Sequence, residues 1–402
     1  MSNLTRFLLL FLVALALLLG GCRPAPTPQP APTATIQPQS QPVPTPTPLF
    51  QDGEQQPPAA EPTPETGVMP SGPDSYPAGY NPLTGFPVDD PAVLQRPPLL
   101  VRVSNSPSVV RPHSGLQAAD HVWEHVVEGY ALTRLVAVYL GQTPEYSGSA
   151  RSGRPPDFEL VPMYEGIYFA SGFSSNRWAP DTPPRMRELM LAAPWRSRNF
   201  SAEFGYGPPY SVRLPREGVA LEHTMFAVPA ELWRLAAENN IGPSTTLAPG
   251  LAFDPAPPPG GSPTSEALID YPGIGPANVW RYDQVSGGWL HWVDGEPHGD
   301  VLTGQQINFT NVVVLYADHS LTDWIEDEAS QLYAVAITLT GEGRAVLLRD
   351  GQRYEVTWRR DAPNRMIQFF DASGQVIPFK PGNTWFQVVS TGPYPPEVTF
   401  SP

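Results

Sequence analysis

"GLQAADHVWEHVVEGYALTRLVAVYL", residues 115–140, decides the fold, because its first half reads as a helix and its second as a buried strand. On a wheel of about 100° per residue, Asp120, Glu124 and Glu128 form one stripe, while Leu116, Val122, Trp123, Val126, Val127 and Tyr130 form the opposite arc. Residues 115–129 are therefore expected to be an amphipathic helix, followed by the strand "TRLVAVYL" (133–140). Glu128 stands just ahead of that strand, so a Glu128–Arg134 ion pair is expected to lock helix to strand.

The surrounding sequence continues the alternation. "PLLVRV" (98–103) and "IYFAS" (167–171) read as strands, and 158–166, 183–193 and 229–240 as helices. Alternating elements of this kind predict a mixed α/β domain over 80–243, its sheet parallel or mixed with helices on the faces. Proline and glycine dominate "DPAPPPGGSP" (254–263), which marks 244–266 as a linker or long loop. From 267 to 402 the runs are short and strand-like, with Asp350-Gly351 a hairpin signal, so this part is expected to be mainly β.

At the other end, residues 1–22 carry Arg6, an apolar run and then "LGGC", the pattern of an export signal. "LGGC" resembles a lipobox, which implies lipidation at Cys22 and a protein tethered to the extracytoplasmic face of the membrane. Residues 23–79 are proline, threonine, glutamine and alanine with few large apolar side chains, a composition expected to stay disordered. At roughly 3 Å per residue in a polyproline conformation, such a tether reaches about 150 Å.

Composition excludes several chemistries. Of 402 residues only Cys22 is a cysteine and only Lys380 a lysine, so an intramolecular disulfide, a cysteine nucleophile, a P-loop lysine and Schiff-base chemistry are all ruled out. The seven histidines show no zinc spacing; His121 and His125 are four apart, but "HVWEH" is not a His-Glu-x-x-His motif. Neither a metal nor a cofactor is expected. A net charge of −15 argues against nucleic acid as a partner. Basic work falls to arginine.

Three polar loops follow the first three strands. The first carries Asn105, Arg111 and His113, the second, "YSGSARSGRPPDF" (146–158), carries Arg151, Ser152 and Arg154, and the third carries Asn176. If those strands run parallel, the loops share one edge, where ligands of open α/β sheets collect. Arginine there suits a carboxylate or phosphate through its planar fork, and Pro155-Pro156-Asp157 reads as a helix start whose dipole would add to the attraction. The expected ligand-binding set is Asn105, Arg111, Arg151, Ser152, Arg154 and Asn176. Asp120 and Glu124 are weak candidates for an acid and a base, and no serine is marked as a nucleophile.

"NPLTGFPVDD" (81–90), residues 111–139 and "GSARSGRP" (148–155) together resemble the N-terminal signature of the YerB-like lipoproteins, the DUF3048 family. Residues 289–317, 341–360 and "FKPGNTWFQVV" (379–389) resemble its C-terminal domain, so the likeness spans roughly 80–393. The resemblance implies a lipid-anchored extracytoplasmic protein with an α/β domain before a β-rich one, and no activity. Three functions remain open: an envelope protein binding an anionic glycan, phosphate or carboxylate; a structural adaptor for another envelope protein; and a glycan or lipid-phosphate hydrolase or transferase. The absence of a nucleophile ranks binding first and enzyme last.

Overall fold

The segment 115–129 is not a helix. His121–Val127 forms strand β2, which turns through residues 128–131 into β3 (Leu132–Tyr139), the two pairing antiparallel with Val127 opposite Leu132. The reason is burial on both sides: Trp123 enters one hydrophobic core, and Val122 and Val126 enter another. An amphipathic helix would bury one stripe of this segment, whereas a central strand buries all of His121–Val127. Four is an even spacing, so residues that share a helix stripe also share one side of a strand, as Val122 and Val126 do, and periodicity alone does not separate the two. Glu128 lies past the end of β2 in the turn (φ 34°) and faces the other side from Glu124.

The computed structural model describes residues 68–177, 181–273 and 275–402, so the signal segment, Cys22 and the tether up to residue 67 lie outside the described residues. Residues 71–79, placed in the tether by composition, run along the fold. Ser71 bridges Phe253, and the Tyr76 hydroxyl donates to the Leu251 carbonyl at 2.7 Å.

The other main strands are β1 (Leu99–Ser104), β4 (Ile167–Phe169), β5 (Glu266–Asp270), β6 (Ala277–Asp283), β7 (Gly288–Val293) and β8 (Asn311–Asp327). They are followed by β9 (Leu332–Thr338), β10 (Gly341–Arg349), β11 (Gln352–Arg360), β12 (Gln368–Phe370), β13 (Thr384–Ser390) and β14 (Glu397–Ser401). Among the described residues one eleven-stranded sheet runs β12-β11-β10-β8-β13-β2-β3-β1-β4, with β9 and a short ladder at Ser262–Pro263 off that path. It is mixed: β13 is parallel to both β2 and β8, and β1 is parallel to β4 but antiparallel to β3. The fold is therefore a mixed α/β part followed by a mainly β part, strand-rich throughout.

Helices α1 (Asp157–Tyr164) and α2 (Met186–Ala192) cover one face, sharing a core with Leu100, Trp123 and Val136. On the opposite face lie α3 (Pro229–Glu238) and a six-stranded sheet built on β5, β6, β7 and β14, whose Trp280 and Trp289 join Val122, Val126 and Ala137. The hairpin signal is realised between β10 and β11: Arg349 faces Gln352, and Asp350 (φ 53°) and Gly351 (φ 66°) both take the left-handed conformation of a tight hairpin turn.

Candidate functional site

The three polar loops do meet at one sheet edge, by a different route from the one expected. Because β3 is antiparallel to β1, the loop after β3 begins at the far edge and the chain then runs back beside β1. Ser104 N–H donates to the Ser149 carbonyl, and Arg151 N–H to the Arg102 carbonyl at 3.0 Å. Ser171 N–H in turn donates to the Arg151 carbonyl, so residues 149–151 form a rail between β1 and the loop after β4. The rail carries the arginines to the end of β1.

There the polar side chains separate into two buried networks, because neighbouring strand residues point to opposite faces. The first lies on the α1 face. Glu128 Oε1 accepts from Arg134 Nη2 at 2.7 Å, from Arg154 Nε at 2.9 Å and from Arg154 Nη2. Arg154 Nη1 also lies 3.0 Å from Glu326 Oε1 at the end of β8. Arg134 Nη1 donates to the Ser152 carbonyl at 2.6 Å, so Ser152 enters through its backbone. Arg102, fully buried, donates to His125 Nε2 at 2.6 Å and lies 3.5 Å from Asp157 Oδ1. Burial alone would raise the Glu128 carboxyl, but Arg134 and Arg154 outweigh it and hold it at about 2. Arg134 is pushed well below its usual range, by burial first and then by the neighbouring Arg154 charge.

Arg151 differs from these. Its closest polar partner is the Glu222 carbonyl, 3.5 Å from Nη1, and among the described residues it forms no ion pair. The first turn of α1 is also not free for an anion, since Asp157 Oδ2 already accepts from Arg154 N–H at 2.7 Å and from the Tyr168 hydroxyl at 2.5 Å. Asn176 joins neither network; it closes its own loop, donating to the Thr182 carbonyl and the Glu188 carboxylate.

The second network lies between the two sheets. Glu124 Oε1 accepts from Asn105 Nδ2 at 3.0 Å, Thr133 Oγ1 at 2.8 Å and Asn278 Nδ2 at 3.2 Å. Arg111 Nη1 donates to the Asn105 carbonyl, and its Nη2 spans to Asp294 Oδ2 at 2.6 Å. Asn105, Arg111 and Glu124 are thus brought together, while Arg151 and Arg154 belong to the other face. Burial raises the Glu124 carboxyl to about 7 against the bonds from Thr133 and Asn278. Asp120 sits apart at the start of the hairpin, accepting from Asn81 Nδ2 and from the backbone N–H groups of Leu140 and Gly141; burial raises it to about 6. Neither carboxylate contacts Arg151 or Arg154.

Behind Glu124 is a group that sequence reasoning missed. His113, His298 and His291 follow one another at hydrogen-bonding distance and end on Asn278. They come from segments up to 185 residues apart, and only the alternation of His291 with Trp289 and Val293 hinted that it is buried. The rings are chained edge to edge instead of converging on one point, and among the described residues no group of three or more His, Cys, Asp or Glu could hold a metal. Arg111, Asp294, Glu296 and His298 line a cleft of about 400 Å3 outside this chain.

Two family models match the sequence: the protein of unknown function (DUF3048) N-terminal domain over residues 83–194, and the DUF3048 C-terminal domain over 269–386. YerB of Bacillus subtilis, which is named as a lipoprotein, is 26% identical over 310 residues, covering 77% of this chain and 85% of its own length. The crystal structure of Bacillus subtilis YerB matches this fold with a TM-score of 0.63 at 22% identity, over 80% of this chain and 99% of that one.

Proposed function

The chain belongs to the DUF3048 family, both of whose domains it carries in order, and we propose that it is a lipid-anchored extracytoplasmic protein that binds an anionic group at Arg151. The lipid anchor rests on Cys22 in its lipobox-like setting and on the name of the relative from Bacillus subtilis.

The observation that carries the binding reading is a charge imbalance at the end of β1. At ion-pair distance, Arg102, Arg134 and Arg154 are matched by three carboxylates, Glu128, Asp157 and Glu326, while Arg151 has no ion pair among the described residues and feels the Glu222 carboxylate only from farther off. Burial first, and then the Arg154 charge, lower the Arg151 pKa against the opposing charges of Glu222 and Glu128, so a bound anion would supply the close partner that Arg151 lacks. The planar fork of Arg151 then presents paired N–H donors to a carboxylate, a phosphate or an acidic glycan. Arg154, Arg134 and Glu128 hold the rail that positions it.

Titration of the full chain with inorganic phosphate, alongside pull-down on purified cell-wall fractions, tests the reading. Arg151→Ala should abolish both and Arg151→Lys should weaken them, because a lysine keeps the charge and loses the fork. Undiminished binding by Arg151→Ala removes the proposal.

A further inference from the structure

The histidines between the two sheets form an unbroken chain with Glu124 at its end. His113 Nε2 lies 2.6 Å from the Ser104 carbonyl, and His113 Nδ1 lies 2.7 Å from His298 Nε2. His298 Nδ1 is 2.9 Å from His291 Nδ1, His291 Nε2 is 2.9 Å from the side-chain amide of Asn278, and that amide reaches Glu124 Oε1 at 3.2 Å.

Counting hydrogens along this chain fixes its protonation. A carbonyl only accepts, so His113 carries its hydrogen on Nε2 and, as a neutral ring, accepts at Nδ1. His298 must then donate from Nε2, which leaves its Nδ1 to accept from Nδ1–H of His291. In a neutral His291 the Nε2 atom is now bare. If Asn278 presents its oxygen, two acceptors face one another unless His291 holds a second proton. If the amide is turned to present its nitrogen, its oxygen points at Glu124 Oε1, which must then be a carboxylic acid. Either arrangement needs one proton beyond three neutral rings and a carboxylate, and either leaves the whole chain electrically neutral, as burial demands.

We propose that Ser104, His113, His298, His291, Asn278 and Glu124 form a one-proton clasp between the eleven-stranded and six-stranded sheets, its proton held on Glu124 or on the His291 ring. The clasp spans both sheets: Glu124 belongs to β2, Asn278 and His291 belong to β6 and β7, and His113 lies on the loop after β1. Its surroundings admit few other charges. Trp280 stacks on His291 at 4.0 Å, and Trp385 packs on both His291 and His298. Arg111, joined to Asn105 and Asp294, and Arg216, bonded to the carbonyls of Val110 and Pro112, are the cations on the His113 side. Tyr271, bonded to Gln387, faces Glu124 from the other side.

Loss of the proton to solvent removes one hydrogen bond from the chain, since Asn278 can then donate to His291 or to Glu124 but not to both. His298, bonded directly to His291, borders the cleft that the Arg111–Asp294 pair spans, so the bond is lost behind the wall of that cleft.

Two measurements on the full chain test this. In 15N-histidine NMR of the unaltered protein, His113 and His298 should carry hydrogen on Nε2, and His291 on Nδ1 or on both nitrogens; a His113 or His298 protonated on Nδ1 alone overturns the clasp. Glu124→Gln supplies a permanent N–H in place of the acid proton and removes the titration. The unfolding equilibrium of the wild type should therefore worsen relative to Glu124→Gln by up to about a hundredfold between about pH 5 and pH 7. Parallel pH profiles overturn the proposal, and if the variant does not fold, the tautomers decide.

Discussion

Glu128 and Arg154 meet through one carboxylate oxygen, Oε1, which Arg134 shares at 2.7 Å, so a single anion joins the end of the β2–β3 hairpin to the rail beside β1. All three side chains are almost wholly buried. Glu128→Ala leaves two guanidinium groups without their common partner and should cost about 3–5 kcal/mol, read from denaturant unfolding. The carboxyl is held below its unfolded value. Its contribution is therefore present above about pH 4.5 and is lost as pH falls toward 2.

A second prediction concerns acid. Burial lowers the pKa of all seven histidines, that of His113 to about 3 and those of His121 and His319 to about 4. A lowered folded pKa gives a base stability that is complete above its unfolded value, near 6.5, and that declines as pH falls through the folded value. His113 and His121, fully buried with folded values of about 3 and 4, should each cost about 2 kcal/mol at about pH 5 relative to pH 7. Asp120 and Glu124, raised by burial, act in the opposite sense over the same range but are outnumbered. The urea midpoint should be clearly lower at the more acidic pH; an unchanged midpoint contradicts the neutral rings.

Asp120 closes the open end of the β2–β3 hairpin by accepting from Leu140 and Gly141 N–H and from Asn81. Asp120→Ala strands those donors and should cost about 1–3 kcal/mol for each one left unsatisfied. Phosphate binding by the folded fraction should be unchanged, because Asp120 takes no part in the arginine network. A loss of binding without a loss of stability would return Asp120 to the site.

Trp123 stacks on Phe386 with ring centroids 4.1 Å apart, and their planes differ by only 10°. The contact ties β2 to β13 on the α1 face. Trp123→Ala should destabilise the protein by about 3–5 kcal/mol, and Trp123→Phe by much less, as measured by thermal or urea unfolding.

The sequence was easiest to read where the signal is local. Asp350-Gly351 marks its hairpin because the turn demands two left-handed residues, and Pro155-Pro156 marks the start of α1 because proline suits a first turn. The segment 115–129 misled because a strand buried on both faces carries apolar residues at every phase, including those of a helix. What distinguished it was the density of β-branched residues at Val122, Val126 and Val127, a weaker signal than periodicity. The arginine motif was visible, but its partners were not: Glu326 meets Arg154 across 172 positions of chain. The histidine clasp was hidden for the same reason, since Asn278 and His291 reach Glu124 only after two sheets have packed.

The parallel pairing of β2 with β13 constrains how this protein comes into being. Strand β2 is translated more than 250 residues before the strand that completes it, as the register of His121 with Thr384 requires. Until residues 384–390 arrive, one edge of β2 lacks its partner and Trp123 lacks the Phe386 ring stacked on it. Folding is therefore dominated by non-local contacts and waits on the last part of the chain, which makes it slow and dependent on protection from aggregation. A nascent or truncated chain that stops short of β13 has no finished sheet to fall back on.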